Sequence, residues 1–137
     1  MSWAQSLIKL ATYEVEILQK RLGEIADRRS QAQMRLAVLE AEGEIEAERA
    51  RQDAEHGWYQ LGFLEGLRAR KAAVHAEIAS IKVEEAGARD ALSLAFEEQK
   101  KYEQVAEGIR VARAKETSRQ EIAAFDELGL RRAASGR

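Results

Sequence analysis

Residues 4–39 read AQSLIKLATYEVEILQKRLGEIADRRSQAQMRLAVL, and their spacing decides the fold. Stepping alternately by four and three from Ala4 gives Ala4, Ile8, Ala11, Val15, Leu18, Leu22, Ile25, Arg29, Ala32, Leu36 and Leu39. Ten of these eleven positions are apolar. An apolar residue every 3.5 positions is the seam of a left-handed coiled coil, because that repeat keeps one stripe of the helix against its partner. Ser2 followed by Gln5 has the form of a capping box, which predicts helix entry at about residue 2.

A second seam occupies the other half of the chain. It runs Leu64, Leu67, Lys71, Val74, Ile78, Ile81, Glu85, Ala88, Leu92, Ala95, Gln99, Tyr102, Ala106, Ile109. Its polar members Lys71, Glu85 and Gln99 recur every fourteen residues at one heptad position. A polar seam residue lowers stability and can specify register. The reading favoured by sequence is simpler: these long side chains snorkel out of a loose seam.

Between the seams the pattern fails. After Leu39 the register meets Gly43, Glu46, Ala50 and Asp53, and Gly57, Gly62 and Gly66 follow. Each glycine costs a helix about 1 kcal/mol against alanine. Gly57 is expected to end the first helix in the left-handed conformation. These signals predict an all-α fold, a long antiparallel two-helix coiled coil forming one domain over 1–137. Helix 1 spans about 2–52, the tip about 52–61 and helix 2 about 61–134. A hairpin folded there is on the order of 90–110 Å long at 1.5 Å per residue. Its arms are unequal: residues beyond about 113 overhang, carrying Ile122, Phe125, Leu128 and Leu130 with no seam to bury them. A parallel dimer of one unbroken helix, roughly 200 Å long, is the structural alternative that the absence of proline permits.

Composition agrees with a long helix. Charged residues make up 34% of the chain and aromatic residues 6%, with neither proline nor cysteine. The absence of cysteine excludes a disulfide framework and suits a reducing cytoplasm. A net charge of −2 offers nothing to nucleic acid. No apolar run is long enough to span a membrane, and Met1-Ser2-Trp3-Ala4 lacks the form of a secretory signal.

The remaining charges read as solvated. Glu16/Lys20, Glu24/Arg28, Glu85/Arg89 and Glu97/Lys101 are spaced for i,i+4 pairing, each contributing about 0.2–0.5 kcal/mol. Glu40, Glu42, Glu44, Glu46 and Glu48 alternate, which spreads them around a helix and prevents a catalytic carboxylate pair or a hard-metal cage. His56 and His75 lie nineteen residues apart without a third ligand at metal spacing. Neither a phosphate-cradling GxxxxGK[ST] loop nor a GxSxG elbow is present. No catalytic residues, metal or cofactor are expected, and the chain reads as a protein that works by contact.

Four stretches then resemble the FliJ family of flagellar type III export proteins. They are Leu7-Ile8-Lys9-Leu10 with Glu14-Val15-Glu16; Trp58-Tyr59-Gln60 with Phe63-Leu64-Glu65-Gly66-Leu67; Gln99-Lys100-Lys101-Tyr102-Glu103; and Phe125-Asp126-Glu127-Leu128-Gly129-Leu130-Arg131-Arg132. Their order covers nearly the whole chain. The resemblance implies a non-enzymatic, stalk-like coiled coil that associates with a hexameric export ATPase (FliI), the export gate protein FlhA and export chaperones. It would be cytoplasmic and peripheral at the inner face of the membrane, a monomer or weak oligomer, coupling ATPase to gate and assisting delivery. By position the gate contact falls on Phe63, Leu67, Arg70 and Val74, where Arg70 departs from the small residue expected. Phe63, Leu67, Arg70 and Val74 share one helix face, but Leu67 and Val74 also belong to the seam. Trp58 and Tyr59 would be tip anchors, and exposed aromatics commonly anchor interfaces. The ATPase contact falls on the free end, at Phe125, Leu128, Arg131 and Arg132. Arg131 and Arg132 also suit a helix C-terminus electrostatically. A virulence-system stalk and a purely structural scaffold are the alternatives.

Overall fold

The computed structural model describes residues 2–53 and 57–136. It is an all-α helical hairpin of two elements, α1 (Trp3–Gln52) and α2 (Gly57–Ser135), without strands among the described residues. The capping box forms: the Ser2 N–H donates to Gln5 Oε1 at 3.2 Å and the Gln5 N–H to Ser2 Oγ at 3.3 Å. These bonds satisfy donors that the first turn leaves without a helical partner. At the other end of α1, Arg49 and Arg51 lie in the last turn, where the helix dipole favours cations.

The helices divide into two compact units, Val15–Leu94 and Met1–Glu14 with Ala95–Arg137. In the first, Ile25 and Ala32 of α1 are buried against Ile78, Ile81 and Ala88 of α2, with Leu22, Leu36 and Val74 packed on this cluster. Arg28 bonds Glu84 at 3.0 Å and Arg35 bonds Glu77 at 2.6 Å, so partners rise along α1 as they fall along α2. That is antiparallel pairing. Arg28 therefore reaches across to α2 rather than along its own helix to Glu24. In the second unit Ala4, Ala11 and Ala95 are buried, and Ile8, Tyr102, Ala106 and Ile109 are half-buried beside them.

All eleven positions of the first seam and all fourteen of the second are buried or half-buried. Two of the three polar positions of the second seam, Glu85 and Gln99, behave differently from the snorkelling favoured by sequence. Glu85 is buried, 5% exposed, and receives the Arg29 Nε–H at 3.2 Å. Arg29 is the one polar interruption of the first seam, so the two interruptions meet. Arg89 stands 3.6 Å from the same carboxylate. Gln99 likewise donates to Thr12 Oγ1 at 2.9 Å. Hydrogen-bonded pairing removes the reason for a seam polar group to escape to water.

Two further expectations change. Gly43, Glu46 and Ala50 remain half-buried, so the inner face persists where the apolar pattern stops. Gly43 serves this directly. A Cβ there would stand 2.8 Å from Leu67 Cδ2, so the missing side chain is what lets the leucine seat. Gly57, expected to close the first helix, is the first residue of the second, and α2 runs on through Gly62 and Gly66. Glycine weakens a helix without forbidding it, and packing of Leu64 and Leu67 outweighs about 1 kcal/mol per glycine. Residues 54–56, within the expected tip and including His56, lie outside the described residues.

Not every glycine has such a role. Gly23 is exposed within α1, and nothing lies within 4 Å of its missing Cβ. Gly23→Ala is expected to stabilise the chain by about 0.5–1 kcal/mol, read as a higher midpoint in urea unfolding. Gly43→Ala should give a smaller gain or a loss, because Leu67 must move.

Candidate functional site

Residues 63–74 of α2 carry the expected gate contact, and the helix pairing divides it. Leu67 is buried at 4% exposure and Val74 packs on the core cluster, so both hold the hairpin together. Phe63 is half-buried and Arg70 is exposed. The Arg70 Nε–H donates to the Gly66 carbonyl at 3.4 Å, and no carboxylate pairs with it among the described residues. The four residues therefore do not present one common exposed face.

Arg70 and Val74 instead join residues of α1. With Ala73 they line an open groove of about 510 Å³ whose other wall is Met34, Arg35, Val38 and Leu39. Met34, Val38 and Ile45 are strongly exposed at offsets of 0, 4 and 11, one stripe of α1 beside the groove. Reading the seams alone misses these residues. The signal is present in the sequence: apolar residues at helical spacing, displaced from the seam register. The groove has apolar walls, with Arg70 at its rim and the Arg35 charge paired with Glu77. Tyr59 is 74% exposed. The Trp58 side chain lies outside the described residues, although its backbone is in the first turn of α2.

The free end is more open still. Every described residue from 111 onward is exposed, including Ile122, Leu130 and the expected ATPase-contact residues Phe125, Leu128, Arg131 and Arg132. Phe125 reaches 74%. Arg131 bonds Glu127 at 2.9 Å within its own helix, which turns that charge along the helix surface. Trp3, Leu10 and Tyr13 form a second exposed apolar stripe on the opposite side of α1 from its seam, which seam counting also misses.

Titration adds little to these surfaces. The hydrogen bond from Arg110 holds the Glu107 carboxyl below its ordinary range, and the neighbouring positive charge adds to this. The Tyr102 hydroxyl, donating to Glu98 at 2.9 Å, is pushed up by that bond. Glu107 and Arg110 line an open groove of about 420 Å³ with Ala4, Ile8, Ala106 and Ile109. Among the described residues no cluster of three His, Cys, Asp or Glu could hold a metal ion. No helix of the described residues is long and apolar enough to cross a membrane.

Comparison with known proteins gives one clear relationship. The chain is 52% identical over 134 residues to the flagellar FliJ protein of Caulobacter vibrioides strain NA1000 / CB15N, covering 98% of this chain and 96% of that protein. The same values hold for the flagellar FliJ protein of C. vibrioides strain ATCC 19089 / CIP 103742 / CB 15. No family model matches the chain. No solved structure matches it.

Proposed function

The chain belongs to the FliJ family of flagellar proteins, and from that premise we propose that it is a non-enzymatic, stalk-like adaptor of flagellar protein export. The observation that carries this reading is the identity of 52% across 98% of the chain, which leaves neither helix unmatched. The adaptor couples an export ATPase to the membrane export gate and assists chaperones in delivering substrates. It works at the cytoplasmic face of the membrane, in one coiled-coil domain. The flagellar relatives also favour a flagellar over a virulence-system stalk.

The exposure of Arg70, Tyr59 and the C-terminal arm supports two contact regions. At the gate end the exposed Arg70 and the half-buried Phe63 make the contact, and Met34 and Val38 add to it across the groove from Arg70. Leu67 and Val74 support that surface from beneath. Tyr59 and Trp58 anchor the tip. At the free end, Phe125 and Leu128 supply apolar contact and Arg131 and Arg132 supply charge to the ATPase. Exposed aromatic and arginine side chains are the residue types that dominate interface energies.

A pull-down with the export ATPase and with the cytoplasmic domain of the gate protein tests this. Phe63→Ala is expected to weaken gate binding about tenfold or more with helicity unchanged. Phe125→Ala is expected to weaken ATPase binding while sparing the gate. A folded chain that captures neither partner overturns the proposal.

A further inference from the structure

The overhanging part of α2 changes face. Beyond Ile109 the seam register continues through Arg113, Glu116, Gln120, Ala123, Glu127, Leu130 and Ala134, which is mostly polar. A register two residues out of phase runs Val111, Lys115, Ser118, Ile122, Phe125, Gly129 and Arg132, and its large apolar members are Val111 at one margin and the adjacent Ile122 and Phe125 at its centre. Two residues are about 200° around a helix, so this stripe points away from the side on which α1 packs. A longer α1 would not cover it. Ile122 and Phe125 are 58% and 74% exposed.

The charges beside this stripe are arranged for one occupant. With Ile122 at heptad position a and Phe125 at d, Arg119 and Asp126 both fall at e and Glu121 falls at g. Within the chain, Glu127 pairs with Arg131 and Glu107 with Arg110. Arg119 and Asp126 make no ion pair among the described residues. In an antiparallel pair of identical helices, e faces e and g faces g; in a parallel pair, g faces e. A parallel pair would set Glu121 against Asp126 twice, like charge against like. An antiparallel pair sets Arg119 against Asp126 twice.

We propose that the C-terminal arm of α2 is a self-association element, in which two copies of the chain pair antiparallel over residues 111–136 about a two-fold axis between Ala123 and Ala124. Ile122 of each copy packs on Phe125 of the other, and Ser118 on Gly129. Arg119 of each pairs with Asp126 of the other. Lys115 and Arg132 meet at the two margins, where their long stems let the charges splay into water. The interface is isologous and closed, so it stops at a dimer and does not propagate. Four large apolar side chains over roughly 39 Å of helix make a small core, so dissociation constants of about 1–100 µM are expected. Phe125 is shared with the proposed ATPase contact, so the dimer is a form in which that contact is covered. The dimer itself does not depend on the proposed function.

Sedimentation equilibrium of the purified full-length chain tests it without any export partner. A dimer forming in that range is expected. Arg119→Asp alone and Asp126→Arg alone should each weaken it about tenfold or more, since each converts two attractions into two repulsions. The double variant Arg119→Asp/Asp126→Arg should restore it. Phe125→Glu should abolish it with helicity unchanged by circular dichroism. A chain that stays monomeric at about ten times that range overturns the proposal. A dimer indifferent to the single charge changes, or one that the double variant fails to restore, overturns it equally.

Discussion

Arg29→Leu is expected to lower stability by about 2 kcal/mol, although leucine would make the first seam apolar throughout. The reason lies on the other helix. Glu85 is 7% exposed at its side chain and depends on the Arg29 guanidinium 3.2 Å away. Removing the arginine leaves a buried carboxylate with only the more distant, solvent-facing Arg89 to compensate. The cost sits at the low end for buried pairs because Arg29 is itself 27% exposed. The double variant Arg29→Leu/Glu85→Leu is expected to recover the loss and to exceed the native chain by about 1 kcal/mol or more, since two apolar residues replace two desolvated charges. Urea unfolding followed by circular dichroism measures both. A double variant as unstable as the single one would show that the unpaired carboxylate is not the cause.

Leu67→Ala is expected to lower stability by about 2–4 kcal/mol. Leu67 is 4% exposed and fills the space above Gly43, which is shaped to take it. Truncation leaves a void over a residue that has no side chain to fill it. Arg70→Ala, one turn further along α2 and exposed, should change stability by less than about 0.5 kcal/mol. The comparison separates two roles that position along the helix assigns together. If Leu67 is structural, its variant loses gate binding only as far as it unfolds, and conditions that refold it restore binding. If it touched the gate, the loss would persist in the folded protein. The same urea titration, run beside the binding assay, decides between them.

Much of the fold is legible from spacing. The alternation through Ala4, Val15, Ile25 and Leu39 marks a helix that buries one stripe, and the second run from Leu64 to Ile109 supplies a matching stripe. The Ser2–Gln5 capping box is equally local, since its two hydrogen bonds join residues three apart. The start of α2 at Gly57 was hidden because glycine signals a turn only statistically. Nothing local says whether packing downstream will carry a helix back through it. The candidate surfaces were half legible. Phe125 and Leu128 lie beyond the end of any partner seam, so their exposure follows from counting. Met34 and Val38 were missed because their role depends on which α2 residues stand beside them.

The sequence by itself determined that this chain is two long helices with apolar stripes, one longer than the other. That information is periodic and local, written in residues three and four apart. Only the tertiary structure decided what the irregular positions mean. Arg29 and Glu85 look like two separate defects, one in each seam, until antiparallel pairing brings them within 3.2 Å as a single ion pair. Gly43 looks like a break in a helix until Leu67 arrives to occupy its space. Residue spacing along one helix cannot encode these meetings, because they depend on the register between helices, and register is a property of the folded pair.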